Sequence, residues 1–97
     1  MQDLIVTYDV NTLTPKGRGR LRKVAKICEG FGQRVQESVF EVSVTEADKV
    51  RFLSRLLKVI EPTEDSLRIY LLRGGRTGAV ECHGLDRFVD FRGTLAV

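Results

Sequence analysis

The sequence predicts a one-domain α+β sandwich in which four strands and two helices follow the order strand, helix, strand, strand, helix, strand. Three observations support this prediction. The 97 residues, 42% of them apolar, suffice for one compact core. Several short segments alternate apolar and polar residues, which is typical of strands. Two longer segments repeat apolar residues at three- and four-residue spacing, which is typical of helices.

The first strand is predicted from LIVTYDV, which is rich in strand-forming residues and should lie in the centre of a sheet from Asp3 to about Asp9. The pattern breaks after this segment. Thr14 has the side chain expected of a helix N-cap, and Pro15 is suited to the first helical position. A helix should therefore follow the strand after a short loop.

The first helix is predicted from apolar residues at helical spacing. Gly17 and Gly19 weaken its first turn, so a start only near Gly19 is the alternative. Its end is expected at Gly30 or Gly32, because glycine commonly closes helices. The residues predicted to face the core are Leu21, Val24, Ala25 and Cys28.

A hairpin and a second helix follow. Residues 32–44 are strand-like throughout, and residues 36–38 predict a tight turn between two short strands, with a bulge as the alternative. Thr45 and Asp48 resemble a capping box, and Pro62 should terminate the helix. The residues predicted to form the buried stripe are Val50, Leu53, Leu57 and Ile60.

The fourth strand is predicted over residues 66–73, where polar and apolar residues alternate. After the glycines at 74 and 75, the segments AVECHG and DRFVDF are compatible with short extra strands. The whole order describes a ferredoxin-like βαββαβ sandwich over residues 1–97, with 74–97 as a C-terminal extension. Helices cover one face of such a sheet, so we expect a second protomer to cover the other. The residues expected to share one face of the fourth strand are Leu67, Ile69 and Leu71.

Composition excludes several classes of protein. No segment is long and apolar enough to span a membrane and no signal peptide is evident, so a cytoplasmic location is expected. Cys28 and Cys82 lack zinc-binding spacing and are expected to be reduced core thiols. His83 is the only histidine, so a catalytic triad or a transition-metal site is not indicated. The net charge of +3 does not by itself indicate a polyanionic partner.

The charge distribution is more informative than the total. Residues 10–28 contain six basic residues and no acidic residue. Several lie at the predicted helix start, where positive charge opposes the helix dipole and a bound phosphate would compensate for it. A solvated helix surface is an equally plausible interpretation. The six residues are Lys16, Arg18, Arg20, Arg22, Lys23 and Lys26.

Asp9 is an acidic residue at the predicted end of the first strand, beside this basic segment. A carboxylate repels phosphate unless a divalent cation lies between them, as in metal-assisted phosphodiester cleavage. One carboxylate makes a poor Mg²⁺ site. Two copies of Asp9 across a two-fold axis would supply a pair.

Three segments resemble the CRISPR-associated protein two family, the small partner of the CRISPR integrase: VTYDV (6–10), GQRVQESVFEV (32–42) and SLRIYLLR (66–73). The resemblance implies a ferredoxin-like homodimer in which residues 74–97 pair with the partner's sheet. It also implies a metal-dependent nuclease for single-stranded RNA or double-stranded DNA and a role between integrase dimers during spacer acquisition. The tail GGRTGAVECHG is most similar to the branch found with type I-C systems.

The same resemblance implies roles for particular residues. Asp9 matches the metal-binding acid, so that two protomers would share Mg²⁺ or Mn²⁺, and Tyr8 matches the aromatic residue before it. Arg18 or Arg20 matches a basic residue that follows the first strand. Together with Lys16 they are candidates for binding nucleic acid. The residues that match positions in the family's hairpin are Arg34, Ser38 and Phe40, and of these Arg34 and Phe40 are further candidates for binding nucleic acid.

Simpler roles remain open for the matched side chains. Tyr8 and Phe40 are aromatic strand residues, which more often pack in a core or a dimer interface than stack on bases. Ser38 is suited to closing the turn. Arg34 is within sequence reach of the acids at 37 and 41. The candidate catalytic residues are therefore Asp9, Tyr8 and Ser38.

Two functions follow from the sequence. The first is a Mg²⁺-dependent endonuclease that uses the paired Asp9 carboxylates. The alternative is a non-catalytic adaptor that binds duplex through the basic helix start and bridges integrase dimers. An acylphosphatase is disfavoured, because GQRVQES follows the first helix instead of preceding it.

Overall fold

A computed structural model describes residues 1–89 and confirms the ferredoxin-like order. The four strands form one antiparallel sheet in the order β2-β3-β1-β4. Within residues 1–89, no helix is long and apolar enough to cross a membrane. The elements are β1 (Gln2–Asp9), α1 (Pro15–Phe31), β2 (Gly32–Gln36), β3 (Val39–Val44), α2 (Glu46–Val59) and β4 (Ser66–Leu71).

The central strand β1 divides the molecule into two layers. Leu4, Val6 and Tyr8 are buried beneath the helices. Alternate residues of a strand point to opposite faces, so Thr7 and Asp9 lie on the other side of the sheet, here called the open face. The buried core under the helices consists of Leu4, Val6, Tyr8, Val10, Val24, Cys28, Phe40, Val42, Val44, Phe52 and Leu56.

Helix α1 begins at Pro15, so the alternative start near Gly19 is wrong. The Thr14 hydroxyl accepts a hydrogen bond from the Gly17 N–H at 3.1 Å, which confirms the predicted N-cap. Gly17 is buried against the preceding loop, and a Cβ at this position would lie 1.9 Å from the Asn11 carbonyl oxygen. Glycine is therefore required here for close approach of the loop, which offsets its low helix propensity.

The hairpin with its tight turn is confirmed, whereas the irregularity in register lies before the turn and not within residues 36–38. The turn lies between Gln36 and Val39, and the β2–β3 register shifts between Arg34 and Gln36. Helix α1 passes directly into β2 at Gly32, where a Cβ would lie 2.4 Å from the Glu41 carbonyl oxygen. This close contact explains why the helix ends at a glycine.

The cap of α2 is confirmed, but its predicted buried stripe is wrong at two of its four positions. The Thr45 hydroxyl accepts a hydrogen bond from the Asp48 N–H at 3.1 Å. Val50 and Leu57 are exposed, whereas Phe52 and Leu56 are fully buried. Successive helix residues are rotated by about 100°, so the apolar arc of α2 is wider than one stripe. The Phe52 side chain points into the core, and its ring packs on the Phe31 ring with centroids 5.0 Å apart.

The expected C-terminal strands do not form in the described part of the tail. No strand is present between residues 72 and 89, and the DRFVDF segment ends at residues 90 and 91, outside the described range. Gly74 and Gly75 have positive φ angles of 83° and 89°, which turn the chain away from β4. A strand also needs a neighbouring strand edge, and residues 72–89 pair with none in their own chain.

The two cysteines differ in their environment. Cys28 is fully buried, and burial raises the pKa of its thiol to about 12. Cys82 is exposed in the tail, so the prediction of a second core thiol is wrong. The apolar neighbours that suggested a buried strand there are not packed into the core.

The first prediction concerns Gly17. We expect Gly17→Ala to lower the free energy of unfolding by about 2 kcal/mol, because the added methyl group must displace the Asn11 backbone. Gly19→Ala is the control: its methyl group would meet only the end of Arg22, at 3.8 Å, and should stabilise the helix by roughly 0.5–1 kcal/mol. Urea unfolding measures both. Equal effects of the two substitutions would contradict the assigned contact.

Candidate metal and nucleic-acid site

Asp9 is the last residue of β1 and is exposed on the open face, opposite Ser66 of β4. Its side chain has no hydrogen-bond or ion-pair partner within residues 1–89. An open cleft of about 550 Å³ adjoins it, between the β1–α1 loop and the α2–β4 loop. An ionised carboxylate is therefore presented to solvent, with room for a ligand beside it.

Asp65 organises the loops around this cleft. Its side chain is 0% exposed and accepts hydrogen bonds from the Arg20 Nε at 2.8 Å and Nη2 at 3.2 Å. It also accepts from the backbone N–H groups of Asn11 at 3.0 Å and Glu61 at 2.8 Å. One carboxylate thus joins α1 and both loops that form the cleft.

These hydrogen bonds determine the charge state of Asp65. The bond from Arg20 is the main reason that the pKa of the Asp65 carboxyl falls from 3.8 to about 2, and the two backbone N–H groups add to it. The same contact raises the pKa of Arg20. Asp65 is therefore ionised, and four donors occupy its oxygens. It is structural and does not act as a second acid beside Asp9.

The basic segment is divided by this ion pair. Arg20 is held by Asp65 and lies 3.7 Å from Glu64, so its side chain is 16% exposed. Lys16 and Arg18 are exposed at the start of α1, and Arg18 donates a hydrogen bond to the Thr12 carbonyl oxygen at 3.2 Å. The matched basic residue that is available to phosphate is consequently Arg18 and not Arg20. The further exposed basic residues of α1 are Arg22, Lys23 and Lys26.

Tyr8 and Phe40 point away from Asp9. Both are buried under the helices, and their ring centroids are 6.2 Å apart. Burial raises the pKa of the Tyr8 phenol, although a hydrogen bond from Arg34 lowers it in part. The Arg34 guanidinium lies 5.2 Å from the centre of the Phe40 ring. These contacts match the packing interpretation of the two aromatic residues.

The remaining hairpin candidates stabilise the sheet locally. The Ser38 carbonyl oxygen accepts a hydrogen bond from the Tyr8 N–H at 3.2 Å, which ties the β2–β3 turn to the end of β1. Arg34 lies 3.8 Å from Glu29 of α1, and it forms no ion pair with Glu37 or Glu41 in the described residues. Ser38 is thus near Asp9 along the sheet, whereas Arg34 lies on the helix side.

Sequence reasoning missed two groups of residues. Asp65 belongs to no motif in the sequence, although its position directly before β4 places it beside the end of β1. The second group is the tail clasp, formed by Asp3, Glu41 and Arg76. The Arg76 N–H donates to Asp3 Oδ2 at 2.8 Å, and its guanidinium pairs with Glu41. No periodicity signals such contacts, because they join residues that are distant in sequence.

The family model for the CRISPR associated protein Cas2 matches residues 1–79. The chain belongs to the Cas2 family. A CRISPR-associated endoribonuclease Cas2 from Chlorobaculum tepidum is 51% identical over 92 residues, which cover 95% of this chain and 96% of that protein. A CRISPR-associated endonuclease Cas2 from Halalkalibacterium halodurans is 41% identical, with 95% and 96% covered.

Solved structures agree with the fold of this Cas2-family chain. The crystal structure of Streptococcus pyogenes Cas2 at pH 6.5 has a TM-score of 0.75 and 54% sequence identity, covering 84% of this chain and 99% of that one. A hypothetical protein from Thermus thermophilus has a TM-score of 0.74 and 29% identity, with 90% and 95% covered. The ferredoxin-like architecture is thus shared by close and distant relatives.

Asp9 brings few protein donor atoms to a metal ion. Within residues 1–89, no group of three or more His, Cys, Asp or Glu side chains is arranged to hold one. Mg²⁺ keeps several waters and needs only one or two carboxylates together with phosphate oxygens. The exposed Asp9 carboxylate fits this requirement as one such carboxylate.

The second prediction concerns Asp65. We expect Asp65→Asn to lower the melting temperature at neutral pH by roughly 5 °C or more, the shift that ~1 kcal/mol produces in a domain of this size. The folded pKa is depressed, so this stabilisation is fully present above the ordinary value of 3.8 and is lost as pH falls through about 2. The difference between wild type and variant should therefore shrink towards pH 2 in thermal scans.

Asp48→Asn is the matched control for this substitution. Asp48 pairs with Arg51 on the exposed surface of α2, where an ion pair contributes little. Its melting curve should stay close to that of the wild type. A variant of Asp65 that behaves like the Asp48 variant would refute the role assigned to the buried carboxylate.

Proposed function

We propose that this chain is a metal-dependent endonuclease of a CRISPR system that cleaves phosphodiester bonds in RNA or DNA. The observation that carries the proposal is the exposed, unpaired Asp9 carboxylate on the open face, at the end of the central strand. Relatives in the family are named endoribonuclease or endonuclease, which supports the reaction class. We propose both RNA and DNA as substrates, because the names of the relatives do not establish which of the two this chain cleaves.

The proposed mechanism assigns a separate task to each group. Asp9 from each of two protomers would hold one Mg²⁺ or Mn²⁺, which supplies an activated water and neutralises charge on the phosphate. Lys16 and Arg18 bind the nucleic-acid backbone from the start of α1, where backbone N–H groups and the helix dipole also favour an anion. Asp65 holds the adjoining loops in place.

The proposed nuclease is a homodimer. The tail lies across the β2–β3 half of the open face, where the clasp fixes it: Arg76 pairs with Glu41, which is 9% exposed, and the Gln33 side chain bonds to the backbone of Val89. The β1–β4 half of the open face stays exposed. A second copy would cover that half and, as the family resemblance implies, would also contact the 74–97 extension.

The alternative function as an adaptor rests on a different observation, the exposure of five basic side chains along one side of α1. In that role the dimer would bind duplex and bridge CRISPR integrase subunits in the cytoplasm during spacer acquisition, with or without cleavage. The finer assignment to the type I-C branch rests on the tail sequence alone.

The third prediction tests the nuclease. Asp9→Asn removes the metal-binding charge without changing the size of the side chain, so we expect cleavage of labelled RNA and duplex DNA to fall at least about 100-fold in Mg²⁺. Glu37→Gln removes an equal charge from the exposed β2–β3 turn and should leave the rate unchanged. Cleavage that survives Asp9→Asn would contradict the proposed site.

The fourth prediction tests the clasp. Arg76→Gln leaves the nearly buried Glu41 without its partner and loosens the tail, so the dissociation constant of the dimer should rise about tenfold, or ~1.4 kcal/mol. Arg73→Gln removes the same charge from an exposed position directly before this tail, where Arg73 forms no ion pair within residues 1–89. Sedimentation measures both. Equal dimer affinity in the two variants would refute the role of the clasp.

A further inference from the structure

Helix α2 carries apolar residues on its outer surface that the core does not use. Val50 and Leu57 belong to the predicted buried stripe, yet these residues are 69% and 60% exposed. Successive residues of a helix are rotated by about 100°, so residues seven apart lie on nearly the same line along it. Ala47 and Ser54 lie close to that line and are exposed as well. These four residues, here called the outer stripe, are Ala47, Val50, Ser54 and Leu57.

The spacing of the outer stripe is that of a contact between two helices. Its members follow one another at intervals of three, four and three residues, which is the alternation of the a and d positions of a heptad. The stripe extends about 15 Å along α2. It faces away from the sheet, because Phe52 and Leu56 occupy the core side of α2. The proposed homodimer covers the opposite, open face of the sheet and therefore leaves the outer stripe accessible.

Three basic side chains border the outer stripe on one side and are here called the basic row: Arg51, Arg55 and Lys58. All three are exposed. The guanidinium carbons of Arg51 and Arg55 lie 6.0 and 5.5 Å from the centre of the Phe31 ring, which holds both beside the end of α1. Asp48 pairs with Arg51. Arg55 and Lys58 form no ion pair within residues 1–89, so their charges are available to a partner.

We propose that the outer stripe and the basic row form a docking surface for an amphipathic helix of another protein, one with apolar residues at heptad spacing and acidic residues along one flank. The apolar side chains would pack along the outer stripe, and the acidic flank would pair with Arg55 and Lys58. The inference goes beyond the proposed nuclease and does not rest on it, because α2 lies on the helix side of the sheet, away from Asp9.

Two other occupants fit this surface less well. A second copy of the chain would bring the same basic row, and its α2 offers Glu46 alone as an acid, since Asp48 already pairs with Arg51. Nucleic acid would neutralise the basic row, but its phosphates gain nothing from the exposed side chains of Val50 and Leu57. An acidic amphipathic helix uses both features of the surface. The other two occupants are outcomes of the test.

The test uses two labelled synthetic peptides, each a helix of three heptads with leucine at the a and d positions. One carries glutamate along its flanks, and the other carries lysine at the same positions. Fluorescence anisotropy with the full chain should show at least about tenfold tighter binding of the acidic peptide. Leu57→Gln should weaken this binding roughly five- to tenfold at every salt concentration. Arg55→Gln should weaken it about two- to threefold, and mainly at low salt.

Leu13→Gln and Arg73→Gln are the matched controls. Leu13 is 87% exposed but lies in the loop between β1 and α1. Arg73 is exposed after β4 and forms no ion pair within residues 1–89. Each substitution removes the same group as its counterpart on α2 and should change the affinity for the acidic peptide less than about twofold. Urea unfolding should show that all four variants are about as stable as the wild type, because every substituted side chain is exposed.

Each remaining result overturns the inference. A wild type that binds the acidic peptide no more tightly than the basic one, or equal affinities of Leu57→Gln and Leu13→Gln, would exclude the docking surface. A shift of Leu57→Gln to a smaller species in light scattering would assign the outer stripe to a contact between copies. Weaker binding of labelled duplex DNA or RNA by Arg55→Gln than by Arg73→Gln, with peptide binding unchanged, would assign the basic row to nucleic acid. The nuclease proposal is tested separately, because none of these measurements depends on cleavage.

Discussion

The buried carboxylate of Asp65 holds together the end of the sheet at which Asp9 is presented. It accepts hydrogen bonds from Arg20 of α1 and from the backbones of Asn11 and Glu61, so one side chain joins the helix to both loops. Asp9 lies two residues before Asn11, and Ser66, opposite Asp9, directly follows Asp65. Arg20, which the sequence suggests as a nucleic-acid contact, is therefore used in the ion pair that supports the candidate site.

The two faces of the sheet separate stability from function. On the helix side, Tyr8 and Phe40 pack in the core, and Arg34 covers Phe40. On the open side lies Asp9. This separation follows from strand geometry, because neighbouring residues such as Tyr8 and Asp9 point in opposite directions. Resemblance to a family identifies both as matched positions, but only the side chain on the open face can meet a ligand directly.

Local chemistry was predictable from the sequence, and long-range contacts were not. Caps such as Thr14 and Thr45 act through side chains a few residues away, so the sequence alone identified them. The buried side of α2 depends on which of several apolar residues fits against Phe31. The burial of Cys82 depends on whether its segment forms a strand, which it does not do in the described residues. The ion pair between Arg20 and Asp65 spans 45 residues, and no spacing rule reveals it.

The account depends most on Asp9 being half of a site that two copies complete. The most direct test is the stoichiometry of Mn²⁺ binding to the intact protein, measured by isothermal titration calorimetry and by electron paramagnetic resonance of the free ion. The account predicts one ion for every two chains and none for Asp9→Asn. One ion for each chain, or binding that persists after the substitution, would contradict it.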